Sequence, residues 1–223
     1  MAVEARSKTK SGDKMDKQFL IQRQSLGALG LFLPFLCLLF GFLDPQASGT
    51  WAQSMSMTYW TNARDVFTAV LIMCGAFLIT YSGYDWRDKL VNITAGVTAI
   101  GVALFPTAPE TYLSPATYIG TFSCPANISN ILHSVFALIF FACLALNILW
   151  LFTKGESGTP KKKLRNIIYK ICGWGIVASF IICAPGIYFN WHFMMIWILE
   201  AFLLVFFGVA WLVKGRAIKL LND

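Results

Sequence analysis

The stretch YWTNARDVFTAVLIMCGAFLITYSGYDWRDKLVNITAGVTAIGVALFP, residues 59–106, holds two long apolar runs separated by a short charged turn. No Asp, Glu, His, Lys or Arg falls between Asp65 and Asp85, and none between Lys89 and Pro106. A helix crossing the hydrocarbon core of a bilayer takes about 17–25 residues, because each backbone N–H and C=O must find its partner within the segment. The two runs therefore predict membrane-spanning helices at Val66–Tyr84 and Leu90–Pro106, the second stopped by the prolines of FPTAP. Four further runs have the same character: Leu26–Leu43, Ile131–Phe152, Ile167–Ala184 and Phe193–Val213. The expected fold is an all-α membrane protein. A six-transmembrane helix bundle over 26–213 follows a basic tail at 1–25 and precedes a short tail at 214–223.

Composition agrees. The 223 residues are 57% hydrophobic and 13% charged, with a mean hydropathy of +0.63, more apolar surface than a water-soluble domain of this length buries. The net charge of +7 points to a membrane surface rather than to nucleic acid, since most of the excess flanks apolar runs. Five of the six cysteines, Cys37, Cys74, Cys143, Cys172 and Cys183, lie inside those runs, and only Cys124 falls in a polar loop. That distribution supplies neither a disulfide framework nor a zinc spacing.

Lysine and arginine set the orientation. Of the 18, 17 fall in the amino-terminal tail, the YDWRDK turn, the stretch 153–170 and the carboxyl-terminal tail, and Arg64 alone falls on the opposite side. The positive-inside tendency places both termini in the cytoplasm, with loops near 44–65, 107–130 and 185–192 facing outward. Trp51, Trp60 and Trp191 then mark the outer interface and Trp86, Trp150 and Trp211 the inner one. The basic leader, first apolar run and ASG at 47–49 together also satisfy the outline of a cleavable signal peptide. The 18-residue run exceeds the ~7–15 residues of a signal core, so it is read as a span.

Small residues predict how the spans pack. Ala95, Ala99 and Ala103 recur every fourth residue in the third span, with Gly96 and Gly101 beside them, and such spacing lets helix backbones approach closely. Gly173 and Gly175 offer a second close-contact face in the fifth span, and Pro34 predicts a kink in the first. No repeat relates the first three spans to the last three.

Chemistry is carried by a few polar residues. Glu200 falls well inside the last span, where an ionised side chain costs about 2.5–3.5 kcal/mol on insertion scales, so it requires a proton, a partner or a wet cavity. Arg64 and Asp65 open the second span, His133 lies at the outer end of the fourth, His192 at the outer start of the sixth, and Asp44 closes the first. The expectation is an outward-facing polar pocket with Glu200 at its floor and Arg64 reaching towards it, lined by Asp65, His133 and His192. The loop 107–130, free of Lys and Arg, would lid it. The YSGYDWRDK turn reads as a tight charged hairpin, or as a docking point for the KGESGTPKKKLRN loop. Lys161, Lys162, Lys163 and Arg165 of that loop otherwise rest on anionic headgroups.

No G-x-S-x-G, phosphate loop, H-E-x-x-H, C-x-x-C or dinucleotide fingerprint occurs. No metal and no cofactor are expected. The stretch beginning RDVF, with its GYDWRD turn and GVALFPT ending, resembles a family of uncharacterised bacterial six-transmembrane proteins, as do the later FTKGE, RNIIYKICG and WLVKG stretches. The resemblance covers about residues 56–216 and implies a multi-span protein of the bacterial inner membrane, without an activity. A fainter similarity to the alkaline ceramidase and progestin receptor-like superfamily stops at the metal site. Those proteins use three histidines, an aspartate and a serine over seven spans, whereas this chain has two histidines. The first functional reading is a membrane protein that binds or transports a small or lipid-like ligand, with membrane lipids and no nucleic acid as partners. The alternatives are a membrane-embedded lipid hydrolase or transferase, with Glu200 or Asp65 as base beside His133, and a structural accessory subunit.

Overall fold

The structure is a computed structural model and describes residues 2–43, 54–81, 85–107, 116–154, 158–189 and 193–222. Six α-helices run in order: α1 (Ala2–Phe42), α2 (Arg64–Thr80), α3 (Trp86–Leu104), α4 (Ala126–Leu146), α5 (Pro160–Tyr188) and α6 (Phe193–Lys214). A π-helical turn, Asn147–Leu151, continues α4, and a 3₁₀ turn, Ser56–Trp60, precedes α2. Four of these helical stretches, Lys17–Phe42, Ala126–Leu151, Pro160–Cys183 and Met194–Lys214, are long and apolar enough to cross a membrane. The chain is an integral membrane protein. Helices α2 and α3 are shorter, at 17 and 19 residues, and α3 begins with the charged residues Arg87, Asp88 and Lys89.

Each helix packs on its neighbours in sequence, and α6 returns to close against α1, so the six form a ring. Glycines set the closest approaches. A Cβ added to Gly96 of α3 would lie 2.5 Å from the carbonyl oxygen of Gly75 on α2, and one added to Gly75 would lie 2.7 Å from that of Gly96. Gly27 and Gly208 meet in the same reciprocal way where α1 closes on α6. Ala95, Ala99 and Ala103 are buried, and Gly173 and Gly175 of α5 accommodate Leu149 and Phe206. Backbones this close gain dispersion contacts that lipid chains cannot supply, and dispersion is what associates helices in an apolar solvent.

Three local features differ from the sequence reading. Helix starts at Ala2 rather than near residue 26, so residues of the expected tail continue α1. Trp211, expected at an interface, is fully buried, with Tyr81 and Phe152 edge-on to it at 5.2 and 5.0 Å between ring centroids. The otherwise all-α fold also carries a two-stranded antiparallel hairpin, β1 (Tyr118–Ile119) with β2 (Cys124–Pro125), in the loop before α4. Gly120 takes φ +72° in its turn, a conformation in which a Cβ is strained. The ASG stretch at 47–49, Trp51, Trp191 and loop residues 108–115 lie outside the described residues.

Candidate functional site

Glu200 stands on the inward stripe of α6. Ile196, Trp197, Leu203 and Leu204 are buried on either side of it, at the i±3 and i±4 spacings that share a helix face, and Phe207 at i+7 continues that face. Its carboxylate accepts the backbone N–H of Met55. The neighbouring residue, Ser56, meets His133: the Ser56 hydroxyl is 2.9 Å from Nε2, while Nδ1 is 2.8 Å from the carbonyl oxygen of Phe105. A carbonyl can only accept, so Nδ1 carries a proton and, in the neutral ring, Nε2 accepts from Ser56. Two intramembrane polar side chains, one from α6 and one from α4, thus hold consecutive residues of the segment that leads into α2.

That segment is wedged among the helices at the end of the bundle away from the lysines. Met55, Met57 and Thr58 are buried, and the Thr58 hydroxyl lies 2.6 Å from the Met55 carbonyl and 3.7 Å from Sγ of Cys37 on α1. The Thr61 hydroxyl donates to the Thr58 carbonyl at 2.8 Å, and the Trp60 indole donates to the carbonyl of Thr107 at 2.7 Å. The first turns of α4 staple the end of α3 beside it. Ser129 donates to the Pro106 carbonyl at 2.6 Å, Thr107 to Asn130 at 3.1 Å, and His133 to Phe105. Two of these bonds satisfy the carbonyls of Phe105 and Pro106, just past the end of α3. Glu200 also lies within electrostatic reach of Cys183 on α5.

Arg64 and Asp65, also expected in the pocket, are occupied with each other. Arg64 bonds its neighbour Asp65 at 3.4 Å and lies 5.8 Å from the centre of the Tyr59 ring, with both charged side chains largely solvated, 57% and 91% exposed. An arginine at the first position of α2 points along the surface of its own turn, so its contacts are Asp65 and Tyr59 and not Glu200. Such an exposed pair contributes little to stability. His192 and Asp44 lie outside the described residues. Among the described residues no group of three or more His, Cys, Asp or Glu side chains is arranged to hold a metal ion.

A second polar constellation, at the lysine-rich end, was not foreseen in this form. Lys154, the first residue of the KGESGTPKKKLRN loop, donates to Asp85 at 3.0 Å and to Asp88 at 2.5 Å, which makes the YDWRDK turn a docking point for that loop. Asp88 is 2% exposed, and one turn deeper Asn92, wholly buried, donates to its carbonyl at 2.7 Å. Asn147, 1% exposed and the first residue of the π-helical turn, donates to Asn92 at 3.2 Å, and its own Oδ1 has no hydrogen-bond partner among the described residues. Asn92 and Asn147 were legible as polar residues inside apolar runs, the same signal that drew attention to Glu200.

Asp85 caps α3, accepting the N–H groups of Asp88 at 3.0 Å and Arg87 at 2.9 Å. The Asp88 N–H above all, then the Lys154 ammonium, hold the Asp85 carboxyl down to about 2 against an ordinary 3.8. A carboxyl whose pKa is depressed by folding stabilises the fold above its unfolded pKa, and that contribution is lost as pH falls from about 4 to about 2. Replacing Asp85 with alanine is therefore expected to flatten the dependence of thermal stability on pH across this interval, measured in detergent by tryptophan fluorescence. An unchanged slope in the variant would show that the cap contributes nothing to acid sensitivity.

No family model, curated protein or solved structure matches the chain.

Proposed function

We propose that the chain is a six-span protein of the bacterial inner membrane that binds or moves a small or lipid-like ligand, with both termini cytoplasmic. Six helices in a ring, with every lysine and every arginine except Arg64 falling toward one end, support that topology through the positive-inside tendency. At ~1.5 Å rise per residue α2 and α3 reach about 26 and 28 Å, close to the ~30 Å of a bilayer core.

The ligand site in this reading is the outward region floored by Glu200 and walled by His133, and Ser54–Trp60 occupies its mouth in a closed state. The observation that carries it is the grip of Glu200 and His133 on Met55 and Ser56. Both grips are single hydrogen bonds to a short segment, so a ligand with a donor group can take over the same acceptors and displace the segment. Arg64, solvated beside the mouth, meets an approaching anionic group. Glu200 and His133 bond different residues, an arrangement that favours binding over an acid–base dyad acting on lipid.

Native mass spectrometry of the protein extracted from its own membranes tests this. A small molecule or lipid is expected to stay bound to the native chain and to be lost from both Glu200→Gln and His133→Gln. A bare native chain, or a ligand that survives both substitutions, rejects the reading.

A further inference from the structure

We propose that the ligand of the outer site is an N-acylated dipeptide amphiphile, with an apolar first residue and a hydroxyl-bearing second one. The inference rests on the reading of Ser54–Trp60 as the occupant of that site, and it takes the ligand's chemistry from the segment itself.

Much of the segment's hydrogen bonding stays inside its own turn. The Ser54 carbonyl accepts the Met57 N–H at 3.2 Å, the Met55 carbonyl the Thr58 N–H at 3.1 Å, and the Thr58 carbonyl the Thr61 N–H at 3.1 Å. Among the described residues, two polar groups of the segment reach α4 and α6. The Met55 N–H meets Glu200, and the Ser56 hydroxyl meets Nε2 of His133 at 2.9 Å. Both are donors. Between them the Met55 side chain, 3% exposed, joins the main apolar cluster of the bundle.

The two acceptors are fixed in kind. The Phe105 carbonyl, 2.8 Å from Nδ1, keeps the proton of the neutral His133 ring on that nitrogen, so Nε2 offers a lone pair. The Glu200 carboxylate offers oxygen alone. A molecule that displaces the segment therefore has to return a donor to each, because a buried acceptor without one forfeits the hydrogen bonds it makes in water. Fatty acids, glycerol esters and phosphodiesters carry no N–H for Glu200. A simple amino alcohol carries both donors but sets them half as many bonds apart as the Met55 nitrogen and the Ser56 hydroxyl. An amide, an apolar side chain, a second amide and a hydroxyl, in that order, reproduce what the segment presents. An acyl chain on the first nitrogen suits a site set among membrane-spanning helices.

The probe is N-octanoyl-methionyl-serinamide, given to the full-length protein in neutral detergent. Native mass spectrometry counts the retained probe while amide hydrogen exchange follows residues 54–60. One probe per chain is expected, with faster exchange over 54–60 as it takes the segment's place. Two altered probes each lack one donor: the alaninamide lacks the hydroxyl, and the depsipeptide has an ester oxygen for the methionyl N–H. Each is expected to be retained about tenfold less well, the effect of one hydrogen bond. The preferences are paired with residues. In Glu200→Leu the preference over the depsipeptide vanishes and that over the alaninamide persists, and in His133→Leu the reverse holds. Comparing probes within one variant cancels any change in how firmly the segment competes, and the three probes on the native chain carry the test where a variant does not fold. Equal retention of the three, retention of none, or retention without faster exchange over 54–60 overturns the proposal. A ligand from native membranes that depends on Glu200 and His133, beside a dipeptide probe that does not bind, overturns the dipeptide class alone and leaves the outer site standing.

Discussion

Gly96→Val is expected to leave little folded protein. The first atom of the new side chain would stand 2.5 Å from the carbonyl oxygen of Gly75 and 2.9 Å from the backbone nitrogen of Ile79, so the conflict is with main chain that no rotamer change relieves. Moving α2 away would in turn separate Phe67, Leu71, Cys74 and Leu78 from the core they fill. Overpacking of a close-packed interior costs about 1–3 kcal/mol, and the two γ-carbons of valine place this substitution at the upper end. Size-exclusion chromatography and thermal denaturation in detergent read the outcome. Gly158→Ala is the matched control, because a Cβ there meets nothing within 4 Å among the described residues. A Gly96→Val variant as stable as that control would show that α2 and α3 do not rely on backbone contact.

The contrast between these two glycines shows how far sequence alone carried. Helices, and the close contact of the third one, follow from residue type: an uninterrupted apolar run fixes a helix in lipid, and a small residue every fourth position fixes a face. The i±4 rule says nothing about which partner that face meets, so the reciprocal Gly75–Gly96 and Gly27–Gly208 contacts required coordinates. The same limit governs the polar residues. Cost of burial identifies Glu200 as needing a partner, and the structure supplies one, but the partner is a backbone N–H, which every non-proline residue possesses and no pattern can single out. Arg64 was the obvious candidate by charge, and its position at the start of α2 turns it to Asp65 and Tyr59 instead. Asn92 and Asn147 carry no formal charge and drew no attention. A buried amide still demands partners, and theirs run through Asp88 to Lys154.

Removing the Glu200 carboxylate is expected to release the segment before α2 while leaving the helices in place. In Glu200→Leu the Met55 N–H keeps its buried position and loses its acceptor, and an unsatisfied buried donor costs about 1–3 kcal/mol. Leucine meanwhile suits the apolar neighbours Ile196, Trp197, Leu203 and Leu204, so the bundle itself keeps its packing. The loss therefore falls on the segment, and amide hydrogen exchange over residues 54–60 is expected to accelerate about tenfold to a hundredfold, since each 1.4 kcal/mol is a factor of ten. Glu200→Gln retains an oxygen acceptor of the same shape and should fall between the native chain and Glu200→Leu. His133→Leu removes bonds to both Ser56 and Phe105, so it should release the segment and loosen the end of α3 together. Exchange in α5 serves as the reference. If it accelerates as much as residues 54–60 do in Glu200→Leu, the carboxylate braces the whole bundle; if neither region changes, the segment is held by Thr58, Trp60 and Thr61 without it. Acceleration confined to residues 54–60 makes Glu200 the latch of a single movable element, the property a gated outer site requires.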